Sequence, residues 1–439
     1  MLLLHISDIH FQHPICNTDM DPDKPYRTRL ISDVRERVSD LGSVDAILVS
    51  GDIAFQGAPE EYEAAWTWLR ELASSCGCVE GRVFVVPGNH DVDRTVVTGR
   101  ASVRNVQQMI ASAEPDRRES ELLHQLQDAE AGRALFEPIA AYNDFAKRFH
   151  CQVYAPERLF WCQDLPLDDQ TVLRLYGLTS TLLSGANGRD DTRTSLYLSP
   201  LQTVLDPVDG IINLVICHHP PDWFKDQDDV EDAVRSRAAI HLFGHKHRQR
   251  FYKDDGCARF SAGAVNPDRN EPGWQPGYNL ISLSVGEENG ARHLEIEAHL
   301  LAWQTMPEMF RPIAVSQTET VFRHRVPIRG EIAAAPRSLG APAAVRLVSD
   351  PEAMTATDTL EEPTEVEAAM GDERIRNLIF RFWNLTMSQR RDISLSLGLI
   401  DESEMELPEP ERYGRALIRA REQGLLDRVA EEVERLERH

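Results

Sequence analysis

The chain of 439 residues has no apolar run approaching the length of a membrane span, which excludes a helical membrane anchor from its sequence pattern. Its opening Met1-Leu2-Leu3-Leu4 is apolar but short, and His5 and Asp8 interrupt it. It lacks a basic leading segment and a small-residue cleavage site, so it reads as a first strand rather than a signal peptide. Cysteine is sparse: seven residues (16, 76, 78, 151, 162, 217, 257), odd in number and scattered, do not make a disulfide framework. Cys76-Gly77-Cys78 has the wrong spacing for a zinc knuckle and no second pair. Reduced, mostly structural thiols are expected, as in a cytoplasmic protein. Basic residues are also in deficit, 47 against 71 acidic ones, for a formal charge of −24. That argues against a large basic nucleic-acid surface. It does not exclude nucleic acid at a site whose bound cations make it locally positive.

Against these absences stand five short segments in which an apolar run ends in metal-binding residue types. They are Asp8-Ile9-His10, Gly51-Asp52, Gly88-Asn89-His90-Asp91, Cys217-His218-His219-Pro220 and Gly244-His245-Lys246-His247. Each follows a β-like stretch: Leu2 to Ile6, Ala46 to Ser50, Val83 to Val86, Ile211 to Ile216 and Ile240 to Phe243. A residue that comes last on a buried strand sits at the carboxyl edge of the sheet, where α/β folds place their sites. Convergence of five such edges gives oxygen and nitrogen ligands without thiolate, a set suited to hard or borderline divalent cations. Gly51, Gly88 and Gly244 are read as letting the backbone turn sharply just before a ligand.

Strands and helices alternate from residue 1 to about 330. Leu30, Ile31, Val34, Val38 and Leu41 mark one helix. A second begins at Pro59 and buries Tyr62, Trp66, Leu69 and Ala73. Residues 100–150 form a charged helical insertion with Leu122, Leu123, Leu126, Leu135, Phe136 and Ile139 on its apolar side, read either as a lid or as packing on the sheet's flank. Tyr278 to Val285, His293 to Leu300 and Thr320 to Val326 read as strands of a second sheet that closes a sandwich. Residues 331–370, rich in Ala, Pro, Thr and Glu, read as a linker. Residues 371–439 read as a small all-α bundle. Its helices are marked by Ile375, Leu378, Ile379 and Phe382, by Ser388 as a cap with Gly398 as a stop, by Tyr413, Leu417 and Ala420 before Gly424, and by Leu426, Val429, Val433 and Leu436.

The ordered set Asp-x-His, Gly-Asp, Gly-Asn-His-Asp, His-x-Pro, Gly-His-x-His resembles the calcineurin-like metallophosphoesterase superfamily over residues 1 to about 300. The resemblance implies an α/β fold, a two-sheet α/β/β/α sandwich, with two divalent metal ions. Mn²⁺ is the first expectation, with Fe, Zn²⁺ and Ni²⁺ as alternatives. It assigns one ion to Asp8, His10, Asp52 and His247, and the other to Asp52, Asn89, His218 and His245, with Asp52 shared. A shared carboxylate offsets the repulsion of two cations about 4 Å apart. His90 is implied to contact the phosphate and to protonate the leaving oxygen, with Asp91 fixing its tautomer. Of the adjacent pair, His218 is taken as ligand because it stands two residues before Pro220, which leaves His219 as a supporting or substrate contact. Arg94 is a candidate phosphate contact, with a plain salt bridge as the alternative. His13 and His241 carry no site signal.

The C-terminal stretch Leu385 to Ile393, then Leu397 to Ile400 and an Arg-rich helix, resembles small death-like adaptor domains of bacterial conflict systems. That implies a protein partner, the alternatives being a bundle that packs on the enzyme or dimerises it. The expected activity is hydrolysis of a phosphodiester, nucleic acid or nucleotide. A cyclic-nucleotide phosphodiesterase, which His218-His219-Pro220-Pro221 also resembles, and a scaffold with a structural metal centre are the other readings.

Overall fold

The computed structural model describes residues 1–16, 18, 21–267 and 275–328, and towards the C-terminus 378, 381–382, 385, 387–401, 404 and 409–437. Two units separate along the chain, Met1–Arg329 and Gly330–His439. Wholly aliphatic runs such as Ala46-Ile47-Leu48-Val49 are buried on both faces and make the central strands. In chain order the first unit has β1 (Leu2–Ile6), α1 (Lys24–Leu41), β2 (Ala46–Val49), α2 (Pro59–Cys76) and β3 (Val83–Val85). Five helices follow: α3 (Arg94–Gly99), α4 (Ala101–Ser112), α5 (Arg118–Gln127), α6 (Ala129–Phe136) and α7 (Ala140–Ala146). Then come β4 (Phe160–Pro166), β5 (Val172–Leu178), β6 (Ile211–Ile216), α8 (Gln227–Arg237), β7 (Ile240–Phe243), β8 (Arg250–Lys253), β9 (Ala258–Ser261), β10 (Gly277–Glu288), β11 (Ala291–Thr305), β12 (Glu308–Pro312) and β13 (Val321–Pro327).

The strands form two mixed sheets, one of seven strands in the order β12-β11-β10-β1-β2-β3 with β13 also on β11, and one of six in the order β4-β5-β6-β7-β9-β8. This is the expected two-sheet α/β sandwich, with the membership redistributed. The strands over residues 278–326 do not make a sheet of their own: β10 lies antiparallel on β1, with Leu4 opposite Leu280, and so extends the first sheet. The second sheet is built from β6 and β7 with β4, β5, β8 and β9, four strands that the periodicity did not mark. β12 was likewise unmarked.

Register places the site. β1 and β2 are parallel with Ile6 opposite Val49, so Asp8 and Asp52 leave neighbouring strands at the same end. β6 and β7 are parallel with Ile216 opposite Leu242, which aligns His218 with Gly244. Trp161 ties the sheets together: its indole N–H donates to the Val85 carbonyl at 2.8 Å, and Tyr142 of α7 donates to the same oxygen at 3.0 Å.

Both early helices form where their apolar spacing puts them, and α2 starts at Pro59. Trp66, expected in its core, is only half-buried, and Trp68 is buried instead. Along α1 burial covers Leu30, Ile31 and Val34, but Leu41 is exposed. The end of the inserted segment packs on α2: Phe145 lies against Tyr62 with ring centroids 5.2 Å apart, and Phe149 lies 5.5 Å from Trp66.

In the second unit, helices span Met387–Ser396, Glu409–Glu422 and Leu426–Glu437. Ser388 is the second residue of the first of these, not its cap. Gly398 and Gly424 take the left-handed conformation (φ 66° each) expected of helix stops. Leu378, Phe382, Ile393, Tyr413, Leu417, Ala420, Val429 and Val433 share one apolar core. Ile375, Ile379 and the 331–370 segment lie outside the described residues.

Gly177 of β5 faces Trp161 so closely that a β-carbon there would overlap the indole ring. Gly177→Ala is expected to destabilise the first unit by about 1–3 kcal/mol. A lowered urea midpoint with an unchanged m-value checks it.

Candidate metal centre

Asp52 is 1% exposed and lies where the two sheets meet. Its Oδ1 accepts the amide of His90 at 2.7 Å. Its Oδ2 lies 3.2 Å from His218 Nε2 and 3.5 Å from His10 Nε2. Asp8, fully buried, lies 3.2 Å from His247 Nε2 and accepts the amide of His245. Two groups of side chains thus have ligand atoms within 4.8 Å of one another: Asp8, His10, Asp52 and His247, and His218, His219 and His245. Asn89 joins the second group, its Oδ1 3.1 Å from His218 Nε2 and 2.9 Å from His245 Nδ1.

Backbone groups aim these rings. The Ser50 carbonyl accepts from His218 Nδ1 at 2.7 Å, which turns Nε2 towards Asp52 and Asn89. The Asn266 carbonyl, 3.2 Å from His10 Nδ1, does the same for His10. Carbonyls that fix the tautomer of a ligating histidine are a recurrent feature of metal sites. Asp8, His10, Asp52, His245 and His247 all have left-handed backbones, with φ between 49° and 66°. That conformation is uncommon outside glycine and clusters at functional sites. Of the three glycines only Gly51 is left-handed, φ 94°. Gly88 (φ −111°) and Gly244 are needed for room instead of for a turn: a β-carbon would overlap the Asp52 carboxylate in one case and Ser7 Oγ in the other.

Two buried carboxylates meet here with only imidazoles, amides and a carboxamide as partners. Burial favours the neutral acid, yet His218 and its neighbours outweigh it and hold Asp52 well below the ordinary carboxylate range. Asp8 is likewise brought down to about 2, His247 overcoming burial. Burial disfavours a charged His218, but Asp52 reverses this and lifts it to about 9. His245 is pushed down to about 3 by burial and by His218, and His219 also falls well below its usual value. Asp52 thus favours a proton on His218, whose Nε2 lies between Asp52 and Asn89. The donors, carboxylate, imidazole and carboxamide with no thiolate, suit a divalent ion of hard or borderline character.

Other expectations separate here. Asp91 does not orient His90: its carboxylate accepts from the amides of Gly88, Ile53 and Ala54 and from the Tyr62 hydroxyl at 2.9–3.3 Å. Burial and the nearby Asp52 push it up to about 6 despite those donors. Phe55 orients His90 instead, its carbonyl 2.9 Å from Nδ1 and its ring stacked 5.1 Å away. Glu61 fixes that loop by accepting the amides of Phe55, Gln56 and Ala58 at 3.0–3.2 Å. His219 is fully buried, with Nδ1 2.8 Å from Ser180 Oγ. Arg94 pairs with Asp190. Ser50, Phe55, Asn266 and Ser180 were missed because three act through carbonyls and the fourth through a lone hydroxyl, none of which leaves a sequence signature.

Residues 1–249 match the calcineurin-like phosphoesterase family. The chain belongs to that family. Residues 374–435 match the GTPase-associated adaptor domain. An uncharacterised metallophosphoesterase-like protein of Bacillus subtilis (strain 168), YydB, is 25% identical over 317 residues, 69% of this chain and 59% of that protein. The glycerophosphodiester phosphodiesterase GpdQ of Enterobacter lignolyticus (strain SCF1) is 36% identical over 95 residues, 21% of this chain and 30% of its own. The chain thus spans well under two thirds of either curated relative. Among solved structures, Vps29 of Chaetomium thermophilum aligns at 11% identity and a TM-score of 0.29, over 75% of this chain and all of its own. Vacuolar protein sorting 29 of Cryptosporidium parvum aligns at 12% and 0.29, over 74% of this chain and 96% of its own.

In this calcineurin-like chain a cation bound at His218 Nε2 would compete with the proton that Asp52 favours there. Titration of metal-free protein with Mn²⁺ at pH 7.5 is expected to release protons, read by calorimetry in buffers of different ionisation enthalpy. A heat independent of buffer would contradict it.

Proposed function

We propose that residues 1–329 form a phosphodiesterase that works with two divalent cations, Mn²⁺ first among them. The observation that carries this is the position of Asp52 between the two ligand groups, with His90 bonded to it through its backbone amide. In this reading Asp8, His10, Asp52 and His247 hold one ion, and Asp52, Asn89, His218 and His245 hold the other. Bound there, the cations supply positive charge against the phosphoryl oxygens. Asn89 contributes a neutral carbonyl oxygen, which leaves the centre positive enough to accept a phosphate anion.

His90 does the proton work. Its Nδ1 is committed to Phe55, so Nε2 is the nitrogen that meets substrate. Burial lowers the affinity of His90 for a proton. An incoming phosphate anion raises it, and the ring then hands the proton to the leaving alkoxide. Arg94 reaches the substrate only by exchanging Asp190 for a phosphate oxygen. Diester specificity draws support from the relative named a glycerophosphodiester phosphodiesterase. The match to an adaptor domain supports a protein partner for residues 374–435. All seven cysteines are free thiols, which suits the reducing cytoplasm. Among the described residues no helix is long and apolar enough to cross a membrane.

After chelation, Mn²⁺ is expected to restore hydrolysis of bis-p-nitrophenyl phosphate more strongly than of the monoester. His90→Ala should lower kcat by about 10²–10⁴ while Mn²⁺ still binds. Equal turnover of both esters would remove the diester assignment. Unchanged turnover in the variant would remove His90 from the mechanism.

A further inference from the structure

The strand that leaves the last metal-binding loop carries features that the centre does not use. β8 reads Arg250-Phe251-Tyr252-Lys253, is exposed throughout, and forms the outer edge of the six-stranded sheet. It pairs antiparallel with β9, Arg250 opposite Ser261 and Tyr252 opposite Arg259. Alternate residues of a strand share a face, so these four lie on one side. The opposite side is already occupied: Phe251 packs edge-on against Phe322 at 5.5 Å, and Lys253 lies 5.3 Å from the same ring.

The free side lines a cavity of about 320 Å³ that runs back to Pro220 and Lys246. Lys246 stands between His245 and His247, so the cavity opens beside the metal loop. Its volume is at the small end of ligand sites. Its charges mostly cancel: Lys246 pairs with Asp222 at 2.8 Å, and Arg259 pairs with Glu231. Arg250 is exposed and has no ion-pair partner among the described residues. Tyr252 is 48% exposed although it is aromatic, and the Arg259 guanidinium lies 6.0 Å from its ring centroid.

From this we infer that the β8 face beside the metal loop is a nucleotide subsite: it takes the nucleoside arm of a nucleotide-containing phosphodiester, with the base on Tyr252 and a flanking phosphate on Arg250. The inference rests on the phosphodiesterase reading and narrows its substrate class. An arm that leaves the scissile phosphate on this side meets an aromatic face and an unpaired guanidinium, the combination that binds bases and phosphates without sequence readout. A simple alkyl arm has use for neither.

The test uses the full-length Mn²⁺-loaded protein. Thymidine 5′-p-nitrophenyl phosphate and bis-p-nitrophenyl phosphate share a leaving group and differ in the other arm. The ratio of their kcat/KM values is expected to fall about tenfold in Tyr252→Ala, and binding of thymidine 3′,5′-bisphosphate, which carries a second phosphate, is expected to weaken about tenfold in Arg250→Ala. A ratio unchanged in Tyr252→Ala overturns the subsite. Calorimetric binding of thymidine 5′-monophosphate and of inorganic phosphate supplies a readout without turnover. The nucleotide should weaken about tenfold in Tyr252→Ala while phosphate changes less than twofold. Equal changes for both ligands overturn the subsite. If neither ester is cleaved but the nucleotide-selective loss is seen, the catalytic reading fails and the subsite stands. Tyr252 is a half-exposed edge residue, so neither variant removes core packing.

Discussion

Asp52 is the constraint on which this molecule is arranged. A carboxylate with almost no solvent contact must be matched by positive charge or by donors. The chain brings both from distant places: the His90 amide from the loop after β3, and imidazoles from the segments after β1 and β6. Each contributor leaves the carboxyl end of a strand. Strand register therefore decides whether the oxygens of Asp52 find partners. The cross-sheet tie of Trp161 to Val85 guards the same geometry from the side, because it fixes β3 against the second sheet.

The chemistry of this site was legible because each contributor is a local signature: a short apolar run followed at once by Asp, Asn or His. Strand ends such as Ile211–Ile216 and Ile240–Phe243 were readable for the same reason. Sheet membership was not, because it depends on pairings between residues far apart in sequence. Nothing local says that Leu280 will lie opposite Leu4. Strands such as β8, exposed along its whole length, lack the apolar alternation that marks a half-buried strand. The part given to Asp91 failed on a similar point. A carboxylate one residue from a histidine looks like its orienting partner, but three nearby amides and the Tyr62 hydroxyl were stronger claimants. The histidine took a main-chain oxygen, which no residue type announces.

The C-terminal unit shows the complementary case. Its helices were readable from spacing and from glycine stops, and its core of Phe382, Tyr413, Val429 and their neighbours follows the periodic positions. The match to a GTPase-associated adaptor domain over residues 374–435 agrees with the expectation of a small adaptor-like bundle. Its sequence from residue 371 on is rich in Arg and Glu and has no Lys.

The left-handed backbones at Asp8, His10, Asp52, His245 and His247 have a consequence for how the molecule opens. Each conformation costs about 1–2 kcal/mol for a residue with a side chain. Together they are comparable with a sizeable part of the net stability of an ordinary domain, about 5–15 kcal/mol. The strands that precede these residues hold them in place, and the energy concentrates in the loops that follow the strand ends. Those loops are the segments that release most on local opening. Their amides should therefore exchange with solvent earlier than those of the adjoining strands. Cations bound as proposed would give the same loops new anchors, and the region that is easiest to loosen in the bare protein would become one of its firmest.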